Sequence, residues 1–334
     1  MQKSSVSIVV VNLGSPKSPK PNDVGKYLNE FLTDPYVINL STWIRYPLVK
    51  ACITPFRKYR SAEAYRSIWN TDGGPLRTIT CQVAAQVEET TGIKTLPAMR
   101  YGEPSIHAAI QQLQDYQTIF LALQYPQHAD STRTTSIRYT EQLIENKQLI
   151  VAPPFYNDTN YLNVLVNHTK EHLRNPIDHV LISFHSLPES HIKNADPTNK
   201  HCLIDSNCCE IGSIAHSTCY RHQCLHTAKL LGESLGLPYS ISFQSRLGRA
   251  KWLKPTTEFS LKRLAQKNVK NLAVVCPGFT ADNLETLEEI GIQGKNTFMI
   301  NGGKSFQLIP CLNSDKNWIS FLSTWILQQL NITT

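Results

Sequence analysis

Nowhere do the 334 residues offer a window of ~18 consecutive apolar positions, so no segment is expected to span a membrane. No GxGxxG motif follows either of the two strongest apolar strands, so a nucleotide cofactor is not expected. HExxH and a trio of His ligands are both missing, and a permanent catalytic zinc is therefore not indicated. Lys and Arg are not gathered into a long run, and zinc-finger and RNA-recognition signatures are absent. Nucleic acid is thus not an expected partner. The first apolar run, Ile8 to Val11, is too short for a signal peptide and lacks a cleavage pattern. The expectation is a cytoplasmic protein, whose nine Cys would be thiols and not structural disulfides.

What is present is an ordinary globular composition, 41% hydrophobic and 18% charged, with a net charge of +7 that suits an anionic ligand or an acidic membrane surface. The length fits two α/β domains of about 150 residues each. Apolar runs at 7–12, 119–124, 149–152, 179–184, 239–243, 272–276 and 297–300, with a weaker one near 95–99, read as strands. Helical patterns lie between them at 104–115, 137–146, 160–174, 223–236 and 256–268, and a last one covers 317–330. This alternation predicts parallel sheets flanked by helices. SIVVVNLGSP and HVLISFHSLP each read as a strand followed by a turn ending in Pro, which suggests two similar halves.

Two strand ends carry candidate chemistry. The run 179–184 closes on His185, which would project from the carboxyl end of its strand. The run 272–276 breaks at Pro277-Gly278 and opens a helix bearing Asp282, Glu285, Glu288 and Glu289. Asp282, Glu285 and Glu289 are spaced i, i+3, i+7 and would share one helix face, where like charges repel and add no stability. A solvated acidic face is one reading. The other follows from the position at a strand end, where α/β proteins place their sites: a proton-transfer pair or a small N/O metal site with His185.

Segment 36–69 mixes aromatic and apolar residues with Arg45, Lys50, Arg57, Lys58, Arg60 and Arg66. It reads either as an amphipathic helix pair or as a lip touching a membrane surface or a large flat apolar ligand with acid groups. Five of the nine Cys fall within 200–224: Cys202, Cys208, Cys209, Cys219 and Cys224. That density suggests a metal or iron–sulfur site, with a zinc loop or unligated thiols as the alternatives. Cys208 and Cys209 are adjacent, so only one of them is expected to ligate a single tetrahedral centre. The insert is expected to lie away from His185.

NLGSP (12–16), FRKYRSAEAYRSIW (56–69), LQYPQHADSTRTTS (123–136), SFHSLPESH (183–191), FQSRLGRAKWLKP (243–255) and CPGFTADNLETLEEI (276–290) resemble, in order and spacing, the ferrochelatase family. The resemblance runs from about residue 6 to 310 and implies insertion of Fe²⁺ into a porphyrin to make haem. It implies two Rossmann-like domains with the site in the cleft between them. The expected division is 1–160 with the lip, 161–308 with the Cys-rich insert, and 309–334 as a helix returning to the first domain.

Carried over by motif, the resemblance implies His185 and Glu285 as catalytic residues, with Glu289 joining them around the metal. It implies Leu13, Arg57, Tyr65, Arg100, Tyr125, Trp252, Phe279 and Asp282 as porphyrin contacts. Asn283 stands where other members carry His or Cys. Gly74 stands where Ser is common, so no hydroxyl contact is expected there. Leu13 stands where coproporphyrin users carry Tyr, which favours protoporphyrin IX. The Cys-rich segment resembles that of members holding a [2Fe–2S] cluster, here implied on Cys202, Cys219, Cys224 and one of Cys208 or Cys209. Expected partners are protoporphyrin IX, Fe²⁺ and peripheral contact with the inner membrane, as a monomer or homodimer. The competing readings are a haem or tetrapyrrole carrier without activity, or a chelatase for coproporphyrin III or another divalent metal.

Overall fold

Eight strands form the framework of the computed structural model, which describes residues 5–174, 176–248 and 250–332. They are β1 (Val6–Ser15), β2 (Thr95–Gly102), β3 (Thr118–Leu123), β4 (Gln148–Val151), β5 (His179–His185), β6 (Tyr239–Gln244), β7 (Asn271–Val275) and β8 (Ser305–Leu308). The chain divides into two compact units. One spans 1–125, 130–153 and 313–334, and the other spans 126–129 and 154–312.

Each unit is built on a wholly parallel four-stranded sheet. The orders are β2-β1-β3-β4 and β6-β5-β7-β8. The two orders are the same pattern, so the likeness between SIVVVNLGSP and HVLISFHSLP reflects a repeated topology. The expected α/β class, with parallel sheets and flanking helices, is the one observed. β1, β3 and β5 are buried almost throughout, because strands covered by helices on both faces need continuous apolar runs.

Local chemistry sets the ends of the elements. The helices Pro21–Leu32 and Pro75–Thr91 begin with Pro, whose missing N–H costs nothing in the first turn. Gly92 and Gly236 close the helices Pro75–Thr91 and Tyr220–Leu235 in the left-handed conformation. Gly14, near the end of β1, has φ +116°, and a Cβ there would lie 1.8 Å from the Tyr101 carbonyl oxygen, so only Gly lets β1 pass β2 this closely. In the first unit, the helix Lys316–Gln329 packs against Pro75–Thr91 and buries Trp318, Leu322 and Ile326.

Two elements differ from the sequence reading. Residues 297–300 are not a strand but part of the helix Lys295–Ile300, with Phe298 buried in the core. A four-residue apolar run cannot by itself distinguish helix from strand. The strand of that region is β8, a half-buried edge strand without a distinctive pattern. Segment 36–69 holds a nearly unbroken helical run, Thr42–Pro47, a π-helical turn Leu48–Ile53, and Thr54–Ile68, instead of a pair of helices. The π turn begins after Pro47, whose ring removes a backbone donor.

Candidate active site

His185 is the last residue of β5 and half-buried. Its Nδ1 lies 2.7 Å from the Ser186 carbonyl oxygen. A carbonyl can only accept, so Nδ1 carries a hydrogen, and in the neutral form of the ring the lone pair is then on Nε2. The backbone is held as well: Ser186 N–H donates to the Gln244 carbonyl at 2.7 Å, and Tyr220 O–H donates to the His185 carbonyl at 2.9 Å. The Phe279 ring meets the imidazole edge-on, with centroids 6.4 Å apart.

The acidic row begins where β7 ends. Asn283 caps it: Asn283 Oδ1 accepts from Thr286 N–H at 3.0 Å, while Thr286 Oγ1 accepts from Asn283 N–H at 3.0 Å. Asp282 is buried beside this cap, accepting from Thr286 Oγ1 at 3.0 Å and from Cys311 N–H at 3.3 Å. Asp282 thus braces the loop, in contrast to the half-buried Glu285 and Glu289 that follow. Glu285–Gly294 is π-helical and not α-helical. Such turns concentrate at functional sites because one extra residue per turn re-aims side chains.

Glu289 is fixed at both oxygens by Ser245, whose N–H donates at 2.8 Å and whose hydroxyl donates to Oε2. Burial raises the Glu289 carboxyl above its ordinary range. The Ser245 bonds and nearby His185 act downward, and the charge of Glu285 acts upward. Ser245 holds this position at φ +63°, a conformation that costs a residue with a side chain about 1–2 kcal/mol. FQSR was singled out in the sequence, but neither Ser245 nor Gln244 was named a site residue. A polar pair closing an apolar strand was the available signal.

Trp252 lies on the segment 251–253, which pairs with 187–189 just beyond His185 through Leu253 N–H to Leu187 O at 3.1 Å and Glu189 N–H to Lys251 O at 2.8 Å. Its indole N–H is buried and has no acceptor among the described residues. Trp252, Glu189, Arg246, Lys251 and Lys254 line a cavity of about 390 Å³.

The remaining expected contacts lie in the first unit. Leu13 is half-buried near the end of β1 and packs on the core around Val11 and Leu123. Arg57 is exposed. Tyr65 is buried edge-on to Tyr27 and Trp69, with centroids 6.3 and 6.2 Å away, and Tyr125 is a core residue beneath β3. Arg100 is already committed. It donates to Asp34 Oδ2 at 2.6 Å and to Thr135 Oγ1 at 2.9 Å, and is sandwiched between the Tyr101 and Tyr139 rings. In segment 36–69, Trp43 and Phe56 are 90% and 77% exposed. Arg45 and Val49 turn inward instead, since Arg45 is buried donating to the carbonyls of Thr33 and Leu40.

In the Cys-rich segment, Cys202 and Cys209 hydrogen-bond Cys219, and Cys208 adjoins them. Cys219 caps the helix Tyr220–Leu235. The thiol hydrogen bond from Cys209 lowers it most, with burial opposing and the His222 N–H, Cys202 and Arg221 N–H assisting, to about 6. Arg221 Nη1 reaches the sulfurs of Cys208 and Cys209 at 3.5 and 3.3 Å, and Leu203 N–H donates to Cys208 Sγ at 3.4 Å. Asp196 ties down the turn with bonds from Thr198, His201 and Cys202. Burial opposes them, but together they hold its carboxyl far below the usual range.

This donor set, converging thiols ringed by N–H groups and a guanidinium, fits an iron–sulfur cluster. Cys224 lies buried, hydrogen-bonded to Tyr220 and near Cys219. Among the described residues, no three His, Cys, Asp or Glu side chains are arranged to hold a single metal ion. The segment is not remote from His185, because Tyr220, which follows Cys219, bonds the His185 carbonyl.

The ferrochelatase family model matches residues 5–330. The chain is 47% identical over 330 residues to the ferrochelatase of Pseudomonas fluorescens (strain Pf0-1), covering 95% of this chain and 96% of that one. It is 46% identical over 328 residues to that of Pseudomonas savastanoi pv. phaseolicola (strain 1448A / Race 6), with 95% and 96% covered. Its fold is similar to that of SirB from Bacillus subtilis, solved with Fe³⁺, at a TM-score of 0.54 and 9% identity over 98% of this chain and 94% of that one.

Proposed function

The chain belongs to the ferrochelatase family and is a metal chelatase acting on a porphyrin, and we propose that it inserts Fe²⁺ into protoporphyrin IX to form protohaem. The overall change is free-base porphyrin plus Fe²⁺ giving haem plus two protons, so the enzyme must accept two pyrrole protons and handle a divalent ion. The observation that carries the reading is His185, anchored through Nδ1, beside the half-buried Glu285 and Glu289.

His185 takes a pyrrole proton on Nε2. The Ser186 carbonyl holds its other nitrogen protonated, so the ring faces the macrocycle as a base and not as a donor. Glu285 and Glu289 supply hard oxygen donors. One or two such ligands with an imidazole hold Fe²⁺ loosely enough to release it. Glu289, raised by burial and close to His185, is suited to pass protons outward. In the second unit Phe279 and Trp252 offer aromatic surface for the macrocycle; in the first, Arg57 is exposed and of the charge that suits a carboxylate. Asp282 and Arg100 act through the scaffold, as their hydrogen bonds are already taken up. The aliphatic Leu13 favours protoporphyrin IX over coproporphyrin III.

The Cys-rich segment would hold a [2Fe–2S] cluster through Cys202, Cys219 and the Cys208–Cys209 pair, giving a one-electron centre and a tie for a loop of few apolar contacts. The exposed Trp43, Ile44 and Phe56, with Lys50 and Lys58, suit peripheral contact with an anionic membrane. Anaerobic assays with Fe²⁺ and either porphyrin test the substrate assignment. The expected result is a higher kcat/KM for protoporphyrin IX, and a preference for coproporphyrin III would overturn it.

A further inference from the structure

Gln244, the last residue of β6, is 2% exposed and sits where a buried chain of hydroxyls ends. Its Oε1 accepts from Ser183 Oγ at 2.7 Å and from Cys276 Sγ at 3.6 Å. Ser183 has one hydrogen and gives it to Gln244, so it accepts from Thr257 Oγ1 at 2.8 Å, and Thr257 in turn accepts from Ser242 Oγ at 2.9 Å. Ser183, Ser242 and Thr257 are all buried. The Glu285 backbone carbonyl can only accept, so the carboxamide turns its NH₂ toward it and its oxygen inward, and that sets the direction of the chain. That NH₂ donates to the Glu285 backbone carbonyl at 3.3 Å.

Glu285 is the first residue of the π-helix, and the next residue after Gln244, Ser245, grips Glu289 one turn on. Two consecutive residues at the end of one strand thus hold both carboxylate-bearing positions. An isolated polar side chain at a strand end would have no reason to be buried so deeply. Each hydrogen-bonding group of the carboxamide is matched to a different element, with β5 and Cys276, just past β7, on the oxygen and the π-helix on the nitrogen.

We propose that Gln244 is a positioning residue for metal insertion, locking the first π turn to the sheet so that the Glu285 carboxylate is presented at a fixed place beside His185. The inference rests on the role of Glu285 proposed above. Gln244→Met removes the donor and the acceptor at nearly constant volume. A lost positioning contact of this kind is expected to lower kcat for Fe²⁺ insertion about 10-fold while leaving KM for porphyrin within about 2-fold. In a Glu285→Gln background the same change should have little further effect, because the group it positions is gone. Gln244→Glu keeps the acceptor and, protonated as burial favours, regains a donor to the Glu285 carbonyl, so it should recover most of kcat.

An unchanged kcat for folded Gln244→Met, a loss confined to KM, or full additivity with Glu285→Gln would overturn the proposal. Should Gln244→Met fail to fold, Gln244→Asn, one methylene short of the Glu285 carbonyl, is read by the same split. If Glu285→Gln is impaired and Gln244→Met is not, the positioning role alone fails. If Glu285→Gln is fully active, the role of Glu285 and the positioning role fail together.

Discussion

Replacing Tyr220 with Phe removes one oxygen atom from the molecule, the one that links the Cys-rich segment to His185. The Tyr220 hydroxyl donates to the His185 carbonyl at 2.9 Å, and the ring is buried, so Phe leaves the packing intact and deletes this bond together with the hydroxyl's contact to the Cys224 thiol. A neutral hydrogen bond of this kind is worth about 1 kcal/mol net, and more if the buried carbonyl finds no other donor. For a unit of this size, about 1 kcal/mol lowers Tm by about 2–4 °C. The effect on chemistry comes through the peptide that aims the imidazole. Loosening it should lower kcat for Fe²⁺ insertion about 3- to 10-fold, with little change in KM. Thermal melts and single-turnover insertion on the same preparation measure both. A Tyr220→Phe protein with unchanged Tm and unchanged kcat would refute the claim that this bond holds His185.

Glu289→Gln should stabilise the protein at pH 7. The native carboxyl is raised by burial, so the stability it contributes is present below its unfolded value and lost as pH rises through the folded one. The advantage of the variant in Tm should shrink as pH is lowered toward the ordinary carboxylate range, and a pH-independent difference would contradict it. Trp43→Glu with Phe56→Glu should weaken sedimentation with anionic vesicles at least 10-fold, since both rings stand in solvent. Equal binding would end the lip reading. In metal-free protein one thiolate should titrate near about 6 by ultraviolet absorbance, and Cys219→Ser should abolish it. Anaerobically purified protein should carry about two iron and two sulfide per chain, whereas one zinc, or no metal at all, would refute the cluster.

Much of the fold was legible because parallel strands covered on both faces must be apolar. Runs such as Ile8–Val11 and Val180–Phe184, rich in β-branched residues and followed by turn residues, fit strands of this kind. His185 was legible from its place at the end of such a run. The π-helical form of Glu285–Gly294 was not, because one residue per turn more or less leaves the same acidic spacing in the sequence. Arg100 read as a porphyrin contact by motif, and its pairing with Asp34, 66 residues away in the chain, is visible only in the fold. Gln244 and Ser245 were overlooked for a related reason. Their partners come from β5, from Cys276 just past β7 and from the π-helix, and only the folded sheet brings these together. Cys224, grouped with its neighbours by count and by resemblance, hydrogen-bonds Tyr220 while standing near Cys219, a double contact that only the folded helix shows.

The most direct test is anaerobic insertion of Fe²⁺ into protoporphyrin IX by purified native protein and by His185→Ala, with porphyrin binding measured in parallel by fluorescence. The native protein should form haem. The variant should bind porphyrin comparably and lose at least about 100-fold in kcat, the usual scale for a missing general base. Haem formation by folded His185→Ala at near-native rate, or none by the native protein, would contradict the account.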